Sequence, residues 1–475
     1  MKRSAMEYAF CAIWARYQKS NQESVTLEQL KSWAMDKGLC VTGIERKEIG
    51  AFNKTDCIVI HTKEGSACLP ITTDKSIETW QERHDHSNQI AEEWKKLEWF
   101  SPFWVSGGDA RKILQDAKLR SASEAIEMFN YHTSTIYTLS FEAVCIEQIM
   151  GNAKCLIDIR PLAREAYLAF YAGYKSASIA ALIPAIEGAI TRILPKEMQS
   201  LATLEKVNRV VEGAIQHAAE LHYEGMWTPT GYKSVDYLFC MDERVFAFET
   251  FRRWLQDSFF KSTDEYTGAA NLNRHLFAHG LSPEWQRANL ARLIVAISTI
   301  GLIESWYCRD NSVSLFFPAP DKDSELLWQQ AILHGSAQMV IKLMEEKHYH
   351  ESGKVVPVVP TDDGTTLRKS LLMKDCIDDL VRPLRSAGWA VEFTEDSSDI
   401  YVKLLAKSDT GSLSVALLYS CASDNCLYKD LEKDCDVILY RGAPYHQEQF
   451  ARGVKVHVGP VAGWQPPLAA SYEKP

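Results

Sequence analysis

Residues Leu204–Tyr223, LEKVNRVVEGAIQHAAELHY, carry the pattern that decides the fold of this chain. Their apolar side chains recur at the three- and four-residue intervals of one helix face: Val207, Val210, Val211, Ala214, Ile215 and Ala218. Two apolar-rich segments before it, Leu162–Tyr174 and Ser176–Leu194, indicate helices, with a kink expected at Pro184 in the second. Val235–Phe260 adds a long aromatic helix, and Ser282 and Pro283 cap one that runs to about Trp306. We therefore predict an all-α bundle of four or five helices.

Changes in pattern divide the rest of the chain. Residues 1–159 are predicted to form a mixed α/β region with a regulatory or sensing role, and residues 160–315 the helical bundle. A helix and a linker follow at 316–364. Residues 365–475 are predicted to be a small α/β domain of order αβββαβαβ, for sensing or partner binding. Its first strand is predicted at Ala390–Phe393 and its last at Val454–Val458. The chain is thus predicted to be a multidomain α+β protein with a central bundle between two α/β regions.

Composition limits the classes of partner. Of the 475 residues, 52 are Lys or Arg and 62 are Asp or Glu, so the net charge is −10. A generally basic nucleic-acid coat is excluded, and any RNA site must be a local patch. The longest apolar stretch, Ala291–Ile303, is shorter than the roughly 20 residues that span a bilayer. The basic start of the chain lacks the apolar run of a signal peptide. We therefore expect a soluble, cytoplasmic protein that binds no membrane.

A candidate catalytic pair lies in the bundle, in the sequence Arg274-His-Leu-Phe-Ala-His279-Gly280. The same spacing of Arg and His occurs at Arg441/His446 and Arg452/His457. Both of those lie in the predicted α/β domain with Gly or Pro between the two residues, which argues against a site on a helix. Only the first pair has polar neighbours, Asn273 and His275, and helical segments on both sides. The surroundings, more than the spacing, single out Arg274 and His279.

Arg274 and His279 resemble the R-x4-H motif of the HEPN (higher eukaryotes and prokaryotes nucleotide-binding) ribonuclease superfamily, a resemblance that covers about a third of the chain. It implies a helical bundle that cleaves RNA without a metal, and a homodimer whose composite active site joins two motif copies. Many family members are toxins or antiphage effectors that act by abortive infection. The resemblance therefore implies an endoribonuclease whose flanking domains respond to a trigger, such as a phage-derived molecule or a nucleotide.

The residue types suit this chemistry. His279 can take the 2′-hydroxyl proton or protonate the leaving group near neutral pH, and Arg274 can hold the phosphate charge. On a continuous helix the two side chains would lie roughly 140° apart, so one pair cannot easily enclose a phosphate alone. Asn273 could hold the loop or donate to phosphate, and His275 could donate to substrate. Glu187, an acid in an apolar helix, is expected to neutralise Arg274, orient a histidine or pair with Arg192 or another arginine.

Other interpretations remain. His275 and His279 are i, i+4 neighbours as zinc ligands can be, but no third ligand can be named, so we predict neither a metal nor a cofactor. The alternative is a purely structural role, in which His279 and Gly280 cap a helix end and Arg274 forms a surface salt bridge. At the level of function, the alternative is a non-catalytic dimeric interaction or sensor protein that keeps only the HEPN fold.

Two further expectations concern the cations that could bind RNA and the topology of the C-terminal region. Several cations of the bundle could form the local RNA patch: Arg160, Arg164, Lys175, Arg192, Arg209, Arg287 and Arg292. The C-terminal order also resembles the core of PD-(D/E)xK endonucleases, for which Asp399 could supply the first acid. The following strand, Ser-Leu-Ser-Val-Ala-Leu-Leu-Tyr, has no acid and no lysine, so that resemblance is one of topology only.

Overall fold

The computed structural model describes residues 5–22, 24–266, 272–278, 289–351, 364–394, 398, 400–442, 444 and 447–472. Over these residues the chain is a mixed α+β protein, as predicted, with many helices and two small sheets. His279, Gly280, Ser282, Pro283, Arg287, Asp399 and His446 lie outside the described residues.

The N-terminal region packs two helices against a three-stranded antiparallel sheet. Its elements are α1 (Ala5–Gln18), α2 (Leu27–Asp36), β1 (Val41–Ile49), β2 (Thr55–Thr62) and β3 (Ser66–Pro70). Thr26 and Gln29 form a reciprocal capping box that begins α2. Phe10 and Tyr17 of α1 lie under the sheet in a hydrophobic core confined largely to the first 70 residues.

A helical region follows. Its helices are α3 (Asp74–Lys96), α4 (Gly107–Lys118), α5 (Ala122–Ile136), α6 (Leu139–Val144), α7 (Met150–Asn152), α8 (Arg160–Tyr171), α9 (Lys175–Ile193), α10 (Thr203–His222), α11 (Val235–Leu238), α12 (Glu243–Trp254), α13 (Arg274–Ala278), α14 (Leu290–Cys308) and α15 (Lys322–Glu351). Short π-helical turns extend α6 and α12. Helix α9 continues through Pro184.

Helix α14 is the centre of this region. Every residue from Leu290 to Trp306 is buried, and α14 packs against α9 and α10. By length and composition, α9 and α14 are each long and apolar enough to cross a membrane. Because 94% of the apolar window of α14 is buried within the protein, it is a core helix, whereas only 50% of that of α9 is buried.

Two expectations differ from the structure. One hydrophobic core extends from Ile49 to Leu371 and includes Trp94, Trp99 and Phe129, so the expected boundary at residue 160 falls inside it. The aromatic segment 235–260 is also not one helix. Asp242 has a non-helical backbone conformation, and its side chain accepts a hydrogen bond from the backbone N–H of Arg244. Asp242 is therefore the N-cap of α12, which begins at Glu243 as a separate helix.

The C-terminal unit has the predicted order of helices and strands. It contains α16 (Gly364–Cys376), α17 (Arg382–Ser386), β4 (Ala390–Phe393), β5 (Tyr401–Lys407), β6 (Ser412–Leu418), α18 (Asn425–Asp434), β7 (Val437–Tyr440), α19 (Gln447–Phe450) and β8 (His457–Pro460). The sheet order is β4-β5-β6-β7-β8, antiparallel from β4 to β6 and parallel from β6 to β8. Separate cores cover its two faces.

Candidate functional site

Asn273 fixes the start of α13. Its side-chain amide donates to the carbonyl oxygens of Ser258 and Lys261, both at 2.8 Å. Its side-chain oxygen accepts from the backbone N–H groups of His275 at 3.0 Å and Leu276 at 3.1 Å, as a helix N-cap does. Asn273 is fully buried and both amide hydrogens are used. Of its two expected roles, the structure therefore gives it the first, holding the loop.

Arg274, the first residue of α13, pairs with Glu187 of α9. Its Nη2 lies 2.8 Å from Oε2 of Glu187, and Oε1 of Glu187 accepts from the Thr203 hydroxyl at 2.6 Å. This confirms the pairing of Glu187 with Arg274, one of the partners that the sequence suggested. The second hydrogen bond, from the start of α10, holds the carboxylate in one orientation. Glu187 therefore sets where the guanidinium lies.

The pair is accessible to solvent. About a third of the Arg274 side chain (32%) and a quarter of the Glu187 side chain (25%) are exposed. An exposed pair of this kind contributes only about 0–1 kcal/mol to stability. Glu187 occupies only part of the five-donor guanidinium, so further N–H groups can meet an anion. The geometry suits an arginine that is oriented by the protein and open to a phosphate.

Two further cations lie on the helices that carry Glu187 and Thr203. The Lys206 ammonium, largely buried on α10, donates to the hydroxyl of Thr191 at 3.2 Å. Thr191 is four residues after Glu187, so it lies on the same face of α9, one turn along. Arg192 is exposed beside it. Thr191, Thr203 and Lys206 were not anticipated, because contacts between the end of α9 and the start of α10 leave no periodic signal in the sequence.

The histidines of the motif are described only in part. His275 follows Arg274 on α13 and is partly exposed. His279, the expected base or proton donor, lies outside the described residues.

The other expected cations that the structure describes do not form one patch; Arg287 lies outside the described residues. Arg160 and Arg164 both pair with Glu147, and Arg209 pairs with Glu205 at 3.5 Å. Lys175 lies at the opposite end of α9 from Arg192, roughly 26 Å away along the helix. Arg292 is buried against the rings of Trp99 and Phe129.

The described residues of the duplicate motifs, Arg441, Arg452 and His457, lie outside helices. Arg441 follows β7 and donates to the carboxylate of Asp375 at 2.6 Å. Arg452 is exposed in a turn, and His457 begins β8. Neither arginine has the arrangement of Arg274, which lies at the start of a helix and pairs with an acid from the bundle.

No metal site is evident in the part of the chain that the structure describes, since nowhere there do three His, Cys, Asp or Glu side chains gather as ligands would. Comparison with known proteins gave no match to any family model, curated protein or solved structure.

Proposed function

We propose that this chain is a metal-independent endoribonuclease, with Arg274 as the phosphate-binding residue and His279 as the base or proton donor. The observation that carries the proposal is the Glu187–Arg274 pair, because an arginine held at the start of a helix and still open to solvent can receive a phosphate. Asn273 supports the proposal because its hydrogen bonds to the carbonyl oxygens of Ser258 and Lys261 fix the start of α13.

The reaction follows from these side chains. The 2′-hydroxyl of RNA attacks the adjacent phosphorus while His279 accepts its proton, and the 5′-oxygen leaves with a proton from a histidine. Arg274 stabilises the charge that develops on the phosphate oxygens. Glu187 acts as a positioning residue for Arg274, and His275 supplies a further donor to the substrate.

A homodimer completes the site in this proposal. Helix α9 has the apolar composition of a membrane span, yet only half of its apolar window is buried within one chain. Its exposed residues between Tyr174 and Glu187 are small or flat: Ala177, Ala180 and Pro184. A second copy packed on this surface would cover it and bring two Glu187–Arg274 pairs to one RNA strand.

The biological role is proposed from the family resemblance. The chain would act in the cytoplasm as a regulated toxin in antiphage defence, cleaving cellular RNA in abortive infection. Its flanking regions would restrain the activity until a trigger binds.

A specific observation favours the non-catalytic alternative. Those of the expected cations that the structure describes are spread over the bundle, and several are already paired with acids, while the chain carries a net charge of −10. RNA affinity depends on clustered cations. If the chain only binds a partner, Arg274 and Glu187 would serve as a surface ion pair beside the dimer interface.

The test is RNA cleavage by the purified chain in EDTA. We expect Arg274→Ala and His279→Ala each to lower the cleavage rate about 100-fold or more, since each removes a group that acts in the transition state. Arg452→Ala and His457→Ala repeat the spacing at exposed positions and should leave the rate unchanged. Cleavage that requires a divalent metal, or that survives His279→Ala, contradicts the proposal.

A chain that needs its trigger would be silent in that assay, so the same variants are also tested in cells challenged with phage. We expect the wild-type chain and the Arg452→Ala control to protect the culture or arrest growth, and His279→Ala to do neither. If wild type and His279→Ala give the same RNA cleavage and the same response to phage, the ribonuclease proposal is wrong and the non-catalytic alternative is supported.

A further inference from the structure

A cavity of about 820 Å³ lies between the helical region and the C-terminal unit. Residues of α4 and α5 form one wall, and residues of α17 and β4 form the other. This volume is within the range of small-molecule and cofactor sites, roughly 300–1,000 Å³. The cavity belongs to neither unit alone, and it is separate from the Arg274 site.

Three cations line the cavity. Arg111 and Lys112 belong to α4, and Arg385 to α17. Arg111 donates to the carbonyl oxygen of Gly107 at 3.1 Å, and Lys112 to that of Phe393 at 3.0 Å. Across the part of the chain that the structure describes, none of the three forms a salt bridge, whereas Lys374 and Arg382 both pair with Asp378. Their charge is therefore available to a ligand.

Each acid of the cavity already has a hydrogen-bond or ion-pair partner within the protein. Asp116 lies 2.6 Å from Nε2 of the buried His132, and Glu392 pairs with Lys407 at 2.8 Å. Asp109 accepts from the Ser106 hydroxyl at 2.6 Å, at the start of α4. Only Glu392 has a lysine to offset its charge, and the other two acids are hydrogen-bonded within the protein. The three cations are therefore left to meet an anion.

Aromatic rings line one wall of the same cavity. Phe141 and Phe317 are stacked in parallel with their ring centroids 4.1 Å apart, and Trp104 lies 6.2 Å from Phe317. The indole N–H of Trp104 is fixed by the carbonyl oxygen of Ser314 at 3.0 Å. Phe393 lies on the opposite wall. A planar ring with polar edges, such as a nucleobase, stacks on surfaces of this kind.

We propose that this cavity binds a nucleoside polyphosphate, with the base against Trp104, Phe141 and Phe317 and the phosphates at Arg111, Lys112 and Arg385. Because Arg385 comes from the C-terminal unit and the other two cations from α4, the bound phosphates hold the two units together. The binding site does not depend on ribonuclease activity, and its test measures binding alone.

The experiment measures binding of ATP to the full chain by isothermal titration calorimetry, with adenosine and tripolyphosphate as separate probes. We expect saturable ATP binding, and weaker binding of each part alone because the base and the phosphates occupy different walls. Arg111→Glu and Arg385→Glu should each weaken ATP binding about tenfold or more, the effect of losing a charged hydrogen bond. Arg452→Glu, an exposed arginine of the C-terminal unit, should bind ATP as wild type does.

Each other outcome overturns the proposal. No ATP binding at millimolar concentration shows that the cavity holds no nucleotide. Equal binding by wild type, Arg111→Glu and Arg385→Glu places the nucleotide elsewhere. If tripolyphosphate binds as tightly as ATP, the aromatic wall plays no part and the ligand is a phosphate compound without a base. Thermal unfolding of each variant, followed by circular dichroism, confirms that lost binding is not lost folding.

Discussion

At the scale of single residues, the buried carboxylate of Asp242 is held by two basic side chains. Asp242 is 1% exposed and accepts from Nδ1 of His222 at 3.0 Å and from Nη2 of Arg244 at 2.5 Å. Burial alone would raise the pKa of Asp242, but the hydrogen bonds from Arg244 and His222 outweigh it and lower the pKa to about 2. The carboxylate therefore stabilises the folded chain while it is ionised.

We expect Asp242→Asn to lower the free energy of unfolding by about 2–4 kcal/mol at pH 7, because a buried charged pair loses one partner. The pKa of Asp242 is lower folded than unfolded, so its contribution is complete above about pH 4 and is lost as the pH falls towards 2. Urea unfolding of both proteins at pH 7, 5 and 3 measures this. A difference that stays constant down to pH 3 would contradict the assignment.

The residues of the candidate site were predictable to different degrees. An acid in an apolar helix needs a partner, and that rule led to Arg274 as a partner of Glu187. The rule could not choose between Arg274 and Arg192. Nor could the sequence decide whether Asn273 bonds the backbone or a ligand, because that depends on Ser258 and Lys261, which only the tertiary fold brings within reach.

At the scale of helices, close packing around α14 depends on glycine. A Cβ atom at Gly301 would lie 2.8 Å from Cβ of Ala153 and 2.9 Å from Cδ1 of Leu156. Ala153 is fixed through its backbone, so it cannot move aside without shifting the chain. Gly188 of α9, also within a helix, would meet only Arg192 at 3.8 Å.

We therefore expect Gly301→Ala to destabilise the chain by about 1–3 kcal/mol, the usual effect of overpacking. Gly188→Ala is the matched control and should stabilise it by up to about 1 kcal/mol, because alanine favours the helix. Chemical denaturation of the two variants beside wild type measures both. A stabilising Gly301→Ala would show that α14 does not approach Ala153 so closely.

The order of elements was more predictable than their ends. Alternating apolar residues and turn residues gave the complete C-terminal order, and β4 begins and ends where expected. The last strand was expected at 454–458 but is His457–Pro460. The reason is that the N–H of Val454 closes a turn on Ala451, and that of Lys455 donates to the Glu432 carboxylate. These backbone groups are used before the strand can begin, which residue pattern alone does not reveal.

At the scale of the whole molecule, the first quantity to measure is the molecular mass in solution, which tests the proposed dimer. We expect light scattering after size exclusion to give twice the 53.8 kDa of one chain. Ala180→Glu places a charge on the exposed face of α9 and should weaken the dimer about tenfold or more. Ala337→Glu makes the same change on the exposed side of α15 and should leave the dimer intact. A dimer broken by Ala337→Glu alone would place the interface on α15.

The core that runs from Ile49 to Leu371 also determines how this chain can exchange parts with other proteins. A recombination breakpoint near residue 160 would separate Trp99 and Phe129 from the buried guanidinium of Arg292, which lies 4.7 Å and 5.2 Å from their ring centroids. A charge would then be left in an apolar interior without its neighbours. The first 70 residues have a core of their own on one face of their sheet, but Ile49, Cys57, Val59 and Cys68 belong to the large core. The C-terminal sheet has separate cores on its two faces and can be replaced on its own. The helices from α3 to α14 share one core and can be exchanged only as a single unit.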